Sequence, residues 1–334
     1  MHLITVGENF IWLRISHLSL NKKMKRFLSK SLFFLFPIIV LYILLEFQLD
    51  QIPTNYSIKK TFFETQIQDI EILIMGSSHG NSINPEFLDH KGFNLFNDAQ
   101  DLYYDTRIIK KYWDQMPNLK LIVIPISYWT LDYRMDRSVF IDRAPFYKFK
   151  FDINPQSAFD FLYPGFFSYT YAYGWSRTVA LLKNNFADSV KQKMHENGWR
   201  EVGFTSIDDS YQVKRQGKLE VLFDEQLVMK KENNPGNKIL LSQLIEDCRK
   251  RNIKVLFITT PVHNFYYDAI DQKKYQEMQH DIKLIANHFD LKYFDFLKDP
   301  RFLTSDFYNV DHLNDHGVEK FSRIMNEIVN EVLD

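Results

Sequence analysis

Two short segments bring together residue types that suit nucleophilic acyl chemistry. In ILIMGSSHG, Ser78 follows an apolar run and a glycine, so a sharp turn would expose its hydroxyl beside the N–H groups of the next element. In FYNVDHLNDHG, His312 stands just before a helical pattern, where Asn or Asp supplies the cap and Gly317 falls in the first turn. A serine hydroxyl is a weak nucleophile until a base removes its proton, and a rigidly held imidazole is the usual base. Asn309, Asp311 and Asp306 are the nearby groups able to orient that imidazole.

These residues need a frame that brings position 78 to position 312. Glu71–Met75, Phe93–Leu95, Leu119–Ile126, Lys254–Thr259 and Leu291–Phe294 read as strands. Lys59–Ile70, Leu102–Gln115, Asn237–Asn252, Lys273–Phe289 and Asn314–Val332 read as amphipathic helices. Apolar strands alternating with helices predict an α/β fold, three layers deep, with a mainly parallel central sheet. Such sheets place active sites at the carboxyl ends of their strands. His79, Gln100, Ser127, Trp129 and His263 all fall just after predicted strands, and Tyr104 opens the following helix. His79, Gln100, Tyr104, Trp129 and His263 are therefore candidate substrate contacts, the aromatic ones as a floor for a sugar ring. A hydrophobic core accounts for most of the other aromatics. The stretch from about 132 to 232 interrupts the alternation with an aromatic and then polar run, and it predicts a mainly helical insertion.

With these blocks in place, the chain resembles the SGNH (GDSL-type) hydrolase superfamily, whose sheet is flavodoxin-like. Gly76-Ser77-Ser78 stands where the family has Gly-Asp-Ser, and Asp311-His312-Leu313-Asn314 stands where it has its histidine block. The resemblance covers about residues 70 to 334. It implies Ser78 as nucleophile and His312 as general base. It implies an oxyanion hole from the N–H groups of Ser78 and Ala99, with Ser127 in the place of the family's Asn donor. The family's aspartate position is occupied by Asn309, which leaves Asn309, Asp311 and Asp306 as alternatives for orienting His312. The serine-rich first block resembles membrane-anchored members acting on cell-surface polymers, such as the teichoic-acid D-alanyl transfer protein and the alginate O-acetylation proteins. That implies an esterase or O-acyltransferase acting on a polysaccharide or acylated envelope polymer, with a membrane-bound O-acyltransferase as a candidate partner. The rival expectation is a catalytically inactive scaffold of the same fold that binds glycan or an assembly partner.

The composition limits the alternatives. With 41 Lys+Arg against 42 Asp+Glu, the chain lacks the basic excess that nucleic acid demands. One cysteine, Cys248, excludes an internal disulfide framework and cysteine-based metal sites. His79, His263 and His312 show no metal-ligand spacing, so neither a metal nor a cofactor is expected.

Residues 31–45 carry no charge and sit within an apolar stretch of 27–49 that has Lys30 and Glu46 near its ends, preceded by Lys22, Lys23, Lys25 and Arg26 and followed by Asp50. That length and charge asymmetry predict an uncleaved membrane anchor with residues 1–26 in the cytoplasm. Residues 50–334 would then form the extracytoplasmic domain, at the outer face of a bacterial inner membrane. No small-residue cleavage site follows the apolar run, which separates it from a removable signal peptide. Met24 has the sequence context of a translation start.

Overall fold

A computed structural model describes residues 22–157, 162–184, 193–225 and 235–334. The described residues form two compact units, one ending at Asp50 and the other beginning at Gln51. Residues 1–21 of the expected cytoplasmic tail lie outside the described residues, whereas Met24, the expected start, lies in the first helix.

In the first unit, helix α1 (Lys22–Asp50) carries an apolar window of mean hydropathy 2.3. Its 29 residues span ~44 Å at 1.5 Å each, longer than a hydrocarbon core of about 30 Å. Phe33 is 84% exposed and Leu41 66%, while Leu49 near the helix end is buried. The helix fits a membrane anchor. Pro37 lies inside the helix, as bilayer helices tolerate.

The second unit is built on five parallel strands: β1 (Ile72–Ile74), β2 (Gly92–Asn94), β3 (Leu121–Pro125), β4 (Lys254–Thr259) and β5 (Lys292–Asp295). Their spatial order is β2-β1-β3-β4-β5, the flavodoxin-like order, all neighbours parallel. Every residue of β3 is buried, the mark of a strand covered on both faces. Alternate side chains feed two cores. Leu73, Ile122 and Phe257 pack with helices α2 (Asn55–Gln66), α3 (Leu102–Tyr112), α8 (Pro235–Lys250) and α10 (Gln272–Phe289). Ile72, Ile74, Val123 and Ile258 pack against α11 (Asp315–Leu333). In α11 the buried Val318, Phe321, Met325 and Val329 recur at helical spacing. The result is the expected three-layer α/β/α arrangement.

Between β3 and β4 the chain forms α4 (Ala144–Phe151), α5 (Tyr169–Tyr173), α6 (Trp175–Lys183) and α7 (Tyr211–Phe223). A short α9 (Asn264–Tyr267) follows β4. Parts of the expected insertion, residues 158–161, 185–192 and 226–234, lie outside the described residues. The bounds of α2 and α3 differ most from expectation. Helix α2 begins at Asn55 because Thr54 and Ser57 form a reciprocal capping box. Helix α3 ends at Tyr112, and Trp113–Gln115 tighten into a 3-10 turn before Pro117.

Candidate active site

The chemistry-bearing residues converge at the carboxyl ends of β1 and β4, beside the switch in strand order. After β1 the chain turns at Gly76, whose φ of +99° lies in the left-handed region that favours glycine. Its N–H donates to Asp105 Oδ1 at 3.0 Å. Ser78 then opens a 3-10 turn to Ser82. Gly80 is required inside that turn: a Cβ there would sit 2.7 Å from both the Met75 carbonyl oxygen and Phe96 Cβ. The turn presents Ser78 Oγ 2.8 Å from His312 Nε2.

His312 is held by the loop before α11. Asn309 Oδ1 accepts from the backbone N–H groups of Asp311 (3.2 Å) and His312 (2.8 Å), which curls the loop. Asp311 Oδ1 lies 2.9 Å from His312 Nδ1, and Asn309 Oδ1 lies 3.2 Å from the same nitrogen. Asp311 is buried. Burial raises its carboxyl, but the adjacent imidazolium outweighs this and holds its pKa below the usual carboxylate value. Burial likewise disfavours a charged His312. The Asp311 carboxylate prevails and raises the imidazole above its ordinary pKa. Asp306 has other work. Its Oδ2 accepts from Leu303 N–H at 2.9 Å and from Lys320 Nζ at 2.8 Å, so it is not the group beside His312.

His79 is buried and stacks on His312, with centroids 4.9 Å apart and planes 21° from parallel. Its Nδ1 lies 3.0 Å from Thr260 Oγ1, and the Trp129 ring meets it edge-on at 6.2 Å. Burial, and then the charge of His312, lower its pKa to about 4, so the ring is neutral. His79, Asp311 and His312 also present possible ligand atoms within 4.8 Å of one another. In that cluster Asp311 and Ser78 already engage both nitrogens of His312.

Ser78, Asn81, Asp98, Arg200, Tyr308 and His312 wall a cavity of about 260 Å³. Arg200 reaches it from the segment before α7. Its guanidinium holds Asp98 through two bonds, 2.8 and 2.7 Å. Burial would raise Asp98, yet Arg200 keeps its carboxyl below the usual value. Asn81 clamps the Arg200 backbone, donating to its carbonyl at 2.9 Å and accepting its N–H at 3.1 Å. Asp98 falls just after a predicted strand, but Arg200 does not stand out in the sequence. Arg200 lies far from any strand end, and only the fold brings it to the Ser78 turn.

Other candidate residues lie elsewhere. Gln100 is buried, accepts from Tyr147 Oη at 2.9 Å and donates to Asp105, so it braces the Gly76 turn instead of facing substrate. Tyr104 is 1% exposed and stacks on Tyr147 at 4.0 Å; its ring belongs to the core, not to a sugar-binding floor. His263 is buried and accepts from Phe265 N–H at 3.2 Å to cap α9, while Nε2 meets Thr304 Oγ1 at 3.1 Å. Trp129 is 8% exposed and packs against Tyr133. Ala99 is buried with φ +59°, an alanine in glycine-favoured backbone, and its carbonyl accepts from Tyr133 Oη at 2.8 Å. Ser127 Oγ is buried without a partner among the described residues, and its N–H donates to Thr130 Oγ1 at 2.8 Å. Ala99 and Ser127 are not part of the wall around Ser78.

Asp105 and Asp101 are the buried carboxyls that strand-end reasoning passes over. Burial, opposed by hydrogen bonds from Gln100 and Gly76, pushes Asp105 up to about 7. Asp101 caps α3 through Tyr104 N–H at 3.0 Å, a role its place before LYYDT does signal.

Comparison with known proteins adds three likenesses. The DltD protein family model matches residues 181–317, a stretch holding Asn309, Asp311 and His312 but not Ser78. A protein from Bacteroides fragilis described as an acylhydrolase aligns at 12% identity over 84% of this chain and 96% of its own, with a TM-score of 0.39. A GDSL-like lipase from Bacteroides thetaiotaomicron aligns at 9% identity over 82% of this chain and 98% of its own, with a TM-score of 0.40. No curated protein sequence matches the chain. Over residues 181–317 the chain thus resembles the DltD protein family.

Proposed function

We propose that this protein is a membrane-anchored, extracytoplasmic serine esterase or O-acyltransferase. It acts on acyl groups of a cell-surface polysaccharide or another envelope polymer. The observation that carries this reading is the pairing of Ser78 Oγ with His312 Nε2 at 2.8 Å, with buried Asp311 on the far nitrogen. The likeness to the DltD family supports an acyl-transfer or hydrolase role.

The steps follow from that geometry. Ser78 Oγ attacks the ester carbonyl while His312 Nε2 takes the hydroxyl proton. Asp311 stabilises the imidazolium and fixes its tautomer. The Ser78 N–H is the expected oxyanion donor that stays beside the nucleophile; one such donor is worth about 3 kcal/mol. His312 then gives its proton to the departing alcohol, which leaves an acyl group on Ser78. Water as second acceptor yields hydrolysis, and a sugar hydroxyl yields transfer. In either case His312 takes the acceptor's proton and returns it to Ser78 Oγ as the bond between Ser78 and the acyl group breaks. The charge asymmetry around α1 supports a catalytic unit on the outer side of the membrane. A membrane-bound O-acyltransferase would be a fitting acyl supplier.

Turnover of acetyl esters, with and without a glycan acceptor, tests this reading. Cleavage lost in Ser78→Ala supports the enzyme, and acceptor-dependent acetylation selects transfer. The scaffold reading draws on Ser127 standing where the family has an Asn donor. It requires glycan binding with no turnover in either protein.

A further inference from the structure

A run of ring contacts leads outward from the start of α2. Tyr56 stacks on Phe146 of α4, with centroids 5.3 Å apart and planes 9° from parallel. Phe146 meets Tyr173 of α5 edge-on at 5.3 Å. Around Tyr173 the aromatic side chains leave the core. Phe167 and Trp175 are each 73% exposed and Tyr171 59%, and Leu162 and Leu182 extend the exposed apolar stretch. Arg177 and Lys183 are exposed on α6, and the Arg177 guanidinium lies 5.4 Å from the Tyr173 ring centroid. Concentrated exposure of large apolar side chains marks a contact surface.

Chain connectivity says what covers it. Only residues 51–54 separate the end of α1 from α2. Covalent reach alone keeps Tyr56 within ~21 Å of that helix end, at about 3.5 Å per residue. Trp and Tyr interspersed with basic residues form the composition that settles at the headgroup level of a bilayer. Tyr56, Phe146 and Tyr173 also line a cavity of about 660 Å³ that shares Asp98 and Arg200 with the Ser78 cavity. Of the residues around the exposed rings, Tyr173 and Arg177 line this cavity.

We propose that the surface carrying Phe167, Tyr171 and Trp175 docks on the headgroup region of the bilayer that α1 crosses. Arg177 and Lys183 face the lipid phosphates. The inference rests on α1 being a membrane anchor.

The test uses the full chain in liposomes of phosphatidylcholine and phosphatidylglycerol, with spin labels on Phe167→Cys, Tyr171→Cys and Trp175→Cys. The native Cys248 is buried and does not compete for label. Leu284→Cys on α10, an exposed position, gives the aqueous reference, and Leu41→Cys within α1 gives the lipid reference. Accessibility to oxygen is compared with accessibility to a nickel chelate. The expected result is an oxygen-favoured ratio at 167, 171 and 175, approaching that at 41 and severalfold above that at 284. Labels at the three sites as nickel-accessible as at 284, with 41 in lipid, overturn the docking surface alone. A nickel-accessible label at 41 overturns the anchor and the docking surface together. Protection seen in native membranes but absent from pure liposomes assigns the face to a protein and also overturns the proposal.

Discussion

Asp311 and His312 are neighbours in the chain, yet their side chains meet, with Asp311 Oδ1 2.9 Å from His312 Nδ1. Adjacent side chains usually diverge. Here Asn309 Oδ1 gathers both backbone N–H groups and bends the loop until carboxylate and imidazole face each other. The charge is thus supplied from the residue next to the histidine, and the amide at the family's aspartate position shapes the loop.

Asp311→Asn should therefore cost far more than Asn309→Ala. Loss of the carboxylate removes the charge that stabilises the imidazolium, and the loss in kcat should be about 10⁴-fold, as in serine triads. Asn309→Ala leaves that charge in place and removes loop bonds worth about 1 kcal/mol each. Steady-state kinetics on an acetyl ester ranks the two. Equal losses would show that the amide and the carboxylate share the orienting role.

The pH profile has a defined sign. His312 must be neutral to accept the Ser78 proton, so kcat/KM rises as the imidazole deprotonates. Burial works against the charged form, but Asp311, helped by Asp98 and Glu220, keeps its pKa above the ordinary histidine value. The acid limb should lie above pH 6.5. In Asp311→Asn the residual activity should show that limb displaced to lower pH. An unchanged limb would mean that another group controls it.

His79 should behave as a positioning residue. It is buried, neutral and stacked on His312, with its Nδ1 beside Thr260. His79→Ala frees the base to rotate, so kcat should fall by about tenfold, roughly 1.4 kcal/mol, with KM little changed. A rise in KM at constant kcat would return His79 to the role of substrate contact.

Asp105 links the active-site turn to stability. Its folded pKa is about 7, raised first by burial, against an ordinary carboxylate value in the unfolded chain. The folded state therefore holds its proton more tightly, and stability falls as pH rises from about 4 to 7. Asp105→Asn keeps an acceptor for Gly76 N–H and Gln100 without the ionisable group. Its melting temperature should exceed that of the wild type by several degrees at pH 8 and match it near pH 4. No pH dependence in the difference would show that Asp105 ionises freely in the folded protein.

Much of this arrangement is legible in the chain itself. Leu121–Pro125 and Lys254–Thr259 are continuous apolar runs, and such runs identify strands buried on both faces. Their ends locate the Ser78 turn, because topology sends parallel strands to one edge. The substrate contacts are harder to read, since position after a strand does not fix exposure. Gln100, Tyr104 and His263 satisfy that positional rule and are nevertheless buried behind hydrogen bonds and ring stacks. Arg200 fails the rule and still walls the cavity, because Asn81 binds its backbone across a long loop. Contacts so distant in sequence leave no local periodicity.

Labelling with a fluorophosphonate, read by mass spectrometry of the Ser78 peptide, tests the nucleophile assignment most directly. Wild-type protein should carry the phosphonyl group on Ser78. Ser78→Ala should carry none, and His312→Ala should label far more slowly. Equal labelling of the wild type and Ser78→Ala, or modification at another serine, would contradict Ser78 as the nucleophile.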